Sequence, residues 1–364
     1  MVMFMSVLKY AFPLVLELIP RSGEDISWVQ GLACRSMTDW VGVGRPAHLL
    51  CNRKQARSLK SSARKKGIPT TYVSKHLGRE IKKEARSVDQ MNDHISDRKV
   101  NSDKKKKNKK KKTKNKNVHA IKNNFRHRAY LGSQLMYDWL DQLDTKFDNM
   151  IMENIGKTGE GRDIKIVKIN SNNTDLPIIF IDAGIHAREW ISPAATLFLI
   201  EKLTKSLTKG RGKNDISKFQ WHIIPLANPD GYEYTRTKDR MWRKNTVKNP
   251  GSSCIGVDLN RNFPEGYGIG ASKNPCSEVF QGPHPLSELE SVTIKNYITK
   301  TKNIKAAISI HSYGNVLIYP WGYKQTQHPR KKQLAKLATD ISNAIQEKHS
   351  EKYEPGTARE VSNK

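Results

Sequence analysis

His186 and Glu189 stand three residues apart in AGIHAREW, directly after the apolar run IIFID. At that spacing an imidazole and a carboxylate can turn to one side, and both are good zinc ligands. A strand end leading into a helix is where α/β folds present ligand groups. Taken alone, such a pair is more often a chance surface pair. His311 closes a second apolar run, in AAISIHSY. Taken alone, it reads as a hydrogen-bonded core histidine. Two histidines and one glutamate at strand ends make a three-ligand set with a fourth position open. Asp258, in GVDLNRNF, offers the carboxylate that a zinc-ligating imidazole needs on its other nitrogen, or is simply a turn residue. Arg243 lies in DRMWRKN and Arg261 in LNRNF. One guanidinium can hold a carboxylate by two parallel bonds, and a second can stabilise an oxyanion. Singly, each reads as a surface charge. Together with a metal they describe a single operation, which binds a peptide's terminal carboxylate, polarises the last amide and adds water.

The elements around these residues alternate. Leu135, Met136, Trp139, Leu140 and Leu143 share one face of a helix expected over Leu131–Phe147. Asn154–Arg162 is turn-rich. Ile164–Ile169 and Ile178–Asp182 read as strands. Ser192 and Pro193 read as the cap and first position of a helix running towards Leu207, with Gly210 at its end. Trp221–Leu226 is a further strand, closed by the turn Asn228-Pro-Asp-Gly. Ile304–Ile310 and Val316–Tyr319 are two more, and Gln333–Glu347 is a last amphipathic helix. Buried strands alternating with helices predict an α/β fold whose sheet is covered on both faces.

The chain has 364 residues and a formal charge of +29. Between Asn52 and Arg128 there are 27 basic and 6 acidic residues, so a local +21 carries most of that charge. The chain is therefore basic in one stretch and ordinary elsewhere. No run of about 20 apolar residues occurs, which excludes a spanning helix in this sequence. Cysteines at 34, 51, 254 and 276 contain no CxxC, so a zinc ribbon or thioredoxin-like motif is excluded. Lys104–Lys116 holds ten lysines in thirteen residues, a run that self-repulsion keeps solvated. It reads first as a linker, one that a Lys/Arg-specific protease could cut, and second as a nucleic-acid or heparin arm. It lacks the interleaved aromatics of a single-strand binder. Met1–Ile19 is a weak secretory signal: Lys9 and Glu17 interrupt its apolar run, best over Val7–Leu16, and no small-residue cleavage site follows. Ser22–Leu50 has no readable period. In Ala63–Glu84, GIPTTYV is extended and SKHLGREIKKE helical with Ser74 at its cap, a strand–helix unit too small to fold alone.

Six stretches carry a resemblance: GKTGEGRDIKIVKI, FIDAGIHAREWISPA, NPDGYEYTRTKDRMWRK, CIGVDLNRNF, NPCSEVFQGPHPLSELE and HSYGNVLIYPWGY. In order and spacing, from about Tyr130 to Tyr353, they resemble the zinc metallocarboxypeptidases of the A/B subfamily. The resemblance implies a mixed, twisted central sheet with helices on both faces. It implies one zinc ion held by His186, Glu189 and His311, with Asp258 orienting the first histidine. Arg243 would polarise the scissile carbonyl, and Asn260 with Arg261 would clamp the substrate carboxylate. Arg188 and Tyr313 would line secondary subsites. Cys254 and Cys276 would form the family's internal disulfide, which implies an oxidising compartment and a secreted protein. The family is made as a zymogen. Residues 61–98 resemble the last strand and helix of its prodomain, residues 99–128 the activation linker cut by a trypsin-like protease, and residues 129–364 the catalytic domain, with 1–60 unassigned.

The sequence departs from the family after the last helix. There the family has a mobile tyrosine and, on a late central strand, the glutamate that serves as general base. Here YEPGTA runs into REVSNK, and Glu354 and Glu360 match neither feature. The expectation is an incomplete catalytic domain with its C-terminal strands missing. Such a chain would lose assisted proton transfer, worth roughly 10²–10⁴-fold in rate, and would expose the edges of neighbouring strands. The first expectation is thus a carboxypeptidase by descent, hydrolysing C-terminal peptide bonds of peptides or proteins. The second is an inactive product that still binds zinc and peptide carboxylates. The third is a polyanion binder acting through Lys104–Lys116.

Overall fold

The structure is a computed structural model that describes residues 14–32, 34–37, 43–85, 130–208 and 215–362. The Lys104–Lys116 run, Gly210 and the first thirteen residues lie outside the described residues. The chain divides into two units, one of residues 3–82 with 313–364 and one of residues 83–312.

The second unit holds the sheet that the alternating pattern predicts. Its strands are β5 (Met150–Lys157), β6 (Asp163–Ile169), β7 (Ile178–Ala183), β8 (Gln220–Ile224) and β9 (Ile304–Ile310). They lie in the order β5-β6-β8-β7-β9. The β5–β6 and β6–β8 pairs are antiparallel, whereas β7 runs parallel to both β8 and β9. Alternate residues feed two cores, as a two-residue period requires. Val167, Ile169, Ile181 and Ile223 pack with Met136, Leu140 and Leu143 of the helix Ser133–Lys146, and with Leu197, Ile200 and Leu203 of the helix Ile191–Thr208. Ile164, Ile166, Phe180 and Ile224 pack on the other side with Ile294 of the helix Leu289–Lys300.

Three local expectations change. Asn154–Arg162 is not all turn, because β5 extends to Lys157 and only the hairpin to β6 follows. The segment after β8 is not a closing turn. Asn228 caps the helix Pro229–Thr237, its side chain accepting from the Gly231 amide, with Pro229 at the first position. Ser192 is not a helix cap, since the helix already starts at Ile191. Its hydroxyl instead accepts from the Gly184 amide and donates to the Ile310 carbonyl, tying the loop after β7 to the end of β9.

The first unit corrects the reading of residues 1–60 and of the strand–helix remnant. β1 (Leu14–Leu18), β2 (Arg35–Ser36), β3 (Ala47–Cys51) and β4 (Thr70–Ser74) form an antiparallel sheet in the order β2-β3-β1-β4. Helices α1 (Gly23–Gln30) and α2 (Arg53–Lys65) pack on it. The apolar end of the weak signal segment is thus a core strand, with Leu16 and Leu18 fully buried. β4 is one edge of a sheet rather than a lone strand. Ser74 ends that strand and accepts from the His76 amide, while the next helix begins at residue 77. Cys34 and Cys51, left unassigned by their spacing, form a disulfide. In the same unit β10 (Val316–Tyr319) pairs in parallel with β11 (Glu354–Thr357), beside the helix Lys331–His349.

Glu290, on the Leu289–Lys300 helix, is 1% exposed, and its Oε1 has no hydrogen-bond partner among the described residues. Burial, reinforced by Glu288 and Asp230, pushes its carboxyl up to about 7 from an ordinary 4.5. The folded chain therefore keeps this proton to a higher pH than the unfolded chain. The linked stability is complete below pH 4.5 and is lost as pH rises through about 7. Glu290→Gln is expected to flatten the pH dependence of the urea midpoint over that window. At pH 8 it should gain up to about 3 kcal/mol.

Candidate metal centre

Parallel pairing of β7 with β9 sets Ala183 opposite Ile310, so the two strands end side by side. His311 follows Ile310 directly, and His186 stands three residues beyond Ala183. Gly184 makes the intervening turn at φ 68°, and a Cβ there would meet Leu226 at 2.8 Å. The turn closes when the Glu189 amide donates to the His186 carbonyl at 3.3 Å. Imidazole and carboxylate thus sit on a turn before the helix rather than on the helix itself.

The three side chains converge. His186 Nδ1 lies 2.8 Å from Glu189 Oε1, and His311 Nδ1 lies 3.1 Å from both His186 Nδ1 and Glu189 Oε2. Among the described residues this is the one group of three or more such side chains whose ligand atoms lie within 4.8 Å of one another. Two imidazole nitrogens and a carboxylate aimed at one point suit zinc, because a tetrahedron of 2.0–2.1 Å bonds sets its corners roughly 3.3 Å apart. The chemistry of the donor set and its spacing both fit the ion.

Each histidine is held from behind. Asp258 Oδ1 lies 3.2 Å from His186 Nε2, while Asp258 Oδ2 accepts from Arg243 Nε at 3.0 Å and Nη2 at 2.9 Å. Asp258 also accepts from the Asn260 amide at 3.0 Å, the contact of a turn residue. On the other side Ser309 Oγ lies 3.2 Å from His311 Nε2 and donates to Asp182 Oδ1 at 2.7 Å. Sequence reasoning missed Asp182 and Ser309. The available signal was an acid at the end of the run IIFID and a hydroxyl two residues before His311.

His186, Asp258 and Arg243 are at most 1% exposed. Burial opposes the charge on Asp258, but Arg243 and then His186 outweigh it and hold the carboxyl far below its usual range. Glu189 is likewise held low against burial, by His186 and His311. Burial and Arg243 push His186 down, yet Glu189 and Asp258 prevail and raise it. Burial raises Asp182.

The remaining predicted residues are spread more widely. Arg261 donates to the carbonyls of Gly270 and Asn260, and Asn260 is exposed. The Arg188 Nη1 donates to Glu278 at 3.1 Å and to the Met241 carbonyl. Tyr313 belongs to the first unit, where its hydroxyl lies 2.6 Å from His48 Nδ1. Cys254 and Cys276 form the disulfide that the resemblance implied. Glu354 and Glu360 are committed elsewhere. Glu354 pairs with Arg45 at 2.6 Å, and Glu360 with Lys331 at 2.7 Å while it caps the last helix through Thr357. Glu354 lies on the short β11, which pairs with β10 and is not part of the five-stranded sheet.

Residues 136–363 match the zinc carboxypeptidase family, peptidase family M14. The chain belongs to that family. It is 39% identical to carboxypeptidase A1 of Mus musculus over 241 residues, which cover 64% of this chain and 56% of that protein. It is 37% identical to carboxypeptidase B of Astacus astacus over 225 residues, covering 60% of this chain and 73% of that protein. The chain thus spans about half the length of the mammalian relatives it matches. Among solved structures, carboxypeptidase A from Helicoverpa armigera superposes with a TM-score of 0.81 at 24% identity, over 97% of this chain and 83% of that one. Bovine thrombin-activatable fibrinolysis inhibitor, solved in complex with tick carboxypeptidase inhibitor, superposes with a TM-score of 0.60 at 34% identity, over 65% of this chain and 78% of that one. These likenesses establish the carboxypeptidase fold with its mixed central sheet and helices.

Replacing the carboxylate behind His186 is expected to loosen the metal. Asp258→Asn keeps the shape and removes the charge, and should weaken zinc binding about 10–100-fold in a chelator competition. Asp258→Ala also strands a buried guanidinium, so it should cost about 3–5 kcal/mol in chemical denaturation.

Proposed function

We propose that the protein is a secreted zinc metallocarboxypeptidase, made as a zymogen, that releases single residues from the C-termini of peptides or proteins. The observation that carries this reading is the meeting of His186, Glu189 and His311 at one point, with Asp258 joining His186 to Arg243. One zinc ion would be held by those three side chains. Bound there, it would supply Lewis-acid polarisation of a carbonyl and activation of water. Asp258 fixes the ring of His186 and draws Arg243 to the same place. The Arg243 guanidinium is the donor for a developing oxyanion, where fixed donors in a dry site contribute most. Asn260 and Arg261 are the pair for the terminal carboxylate, since a planar fork matches it by two bonds. Arg188 and Tyr313 are assigned to neighbouring subsites. The sheet of residues 14–74 is read as part of the prodomain, and the Lys-rich segment as the cleavage site of a trypsin-like activator.

A second reading is a non-catalytic product that binds zinc and peptide carboxylates. It is favoured by one observation: both late glutamates, Glu354 and Glu360, are engaged in structural contacts. One experiment separates the two. After trypsin treatment, the protein is offered N-acylated dipeptides with a free or an amidated C-terminus. The enzyme reading expects chelator-sensitive, zinc-restored release from the free acid only. It also expects Arg243→Ala to lower kcat about 10²–10³-fold and Arg261→Ala to act chiefly on KM. Zinc uptake by calorimetry without any release would establish the second reading. No uptake, or uptake unchanged by His186→Ala, would remove both.

A further inference from the structure

Helix α2 of the first unit has one face in the core and the other made of cations. Ala56, Leu59 and Ala63 are buried among Leu16, Leu18, Leu49 and Ile68. Arg53, Arg57, Lys60 and Arg64 follow at intervals of four, three and four residues, and all are exposed. At 100° per residue they fall within an arc of about 60°, in a stripe about 16 Å long. Lys54, Lys65 and Lys66 flank it. From Asn52 to Gly67 the chain has seven Lys and Arg and no acid. The surface continues onto β4, where Lys60 and Lys75 stand over the Tyr72 ring at 4.9 and 5.5 Å from its centroid.

Helix stability does not explain this arrangement. Like charges four apart repel one another, and acidic partners at those positions would have relieved that. Arg53 and Lys54 also occupy the first turn, at the positive end of the helix dipole, where acids are favoured. The Asn52–Gln55 capping box holds the helix against that cost.

We propose that this face binds a sulfated polysaccharide. A straight row of guanidinium and ammonium groups on a rigid helix matches a linear polyanion, and planar guanidinium forks suit sulfate oxygens as they suit phosphate. Two disulfides, Cys34–Cys51 and Cys254–Cys276, place the folded chain in an oxidising compartment. Linear polyanions met there are sulfated glycans rather than intracellular nucleic acids. The site uses none of Lys104–Lys116 and does not rest on the catalytic reading.

The test uses the full chain and size-fractionated heparin as the probe, with affinity measured by calorimetry across a salt series. The variant is R57E/K60E/R64E. The control is K202E/K238E/K302E, which changes net charge equally but lies in the other unit. The stripe variant should lose about tenfold or more in affinity, with a salt slope shallower by about three, while the control stays near the parent. Equal losses in both would reduce the effect to net charge and overturn the proposal. Full affinity in the stripe variant, with loss on deleting Lys104–Lys116, would move the site to the lysine run. Duplex DNA binding as tightly as heparin at the same salt would overturn the choice of partner. If the triple variant fails to melt cooperatively, R57Q/K60Q/R64Q carries the same comparison with a smaller expected loss.

Discussion

The site depends on the parallel pairing of β7 with β9. Hydrogen bonding between these strands sets Ala183 against Ile310, and the two histidines leave the sheet from that line. They are 125 residues apart in sequence, so nothing local brings them together. The Ser192 hydroxyl then ties both strand ends, and Glu189 enters from the turn between Gly184 and the following helix. A slip of one residue in this pairing would send His311 to the opposite face of the sheet. Register, set by the two apolar faces of the strands, is therefore what determines whether there is a metal centre.

Around that line lie two supports of different character. Behind His186 is a fully buried ionic set in which Asp258 is shared between an imidazole and a guanidinium. Such a set is stable only while every member is present, because each charge has been removed from water on the strength of the others. Behind His311 the support is a hydroxyl and a carboxylate near the sheet edge. The metal ligands and Arg243 thereby come to one place through a single acid, Asp258. One acid thus couples an imidazole of the candidate centre to a buried guanidinium.

Much of this was legible in the residues. His186, Glu189, His311, Asp258 and Arg243 were all identifiable, because each sits in a short segment whose type and order carry meaning. The two-faced sheet could be read from the apolar runs of β6 to β9. Less was visible where tertiary contacts rather than local pattern decide. β5 carries Glu153, Asn154 and Gly156, polar or small residues that suggest a turn, and pairing with β6 overrides them. The first unit was nearly unreadable. Its strands are short, its helix α2 merges in composition with the basic stretch that follows, and its order depends on β1 lying between β3 and β4. Ser192 and Ser74 looked like caps by position, but their hydroxyls were taken by other groups. Asp182 and Ser309 gave only their residue types and positions at the ends of apolar runs, and their contact exists only once β7 and β9 are paired.

Among the described residues β9 stands at the end of the sheet order, and that position has a dynamic consequence. His186 is anchored to an interior strand, whereas His311 is anchored to a border strand whose residues 307–309 are exposed. Amide exchange should be slow along β7 and faster along β9, because a border strand can peel away without breaking the rest of the sheet. An ion joining the two histidines would fasten the border to the interior. Metal occupancy and the lifetime of the closed border would then be coupled, and a bound ion would act as a clasp for the sheet.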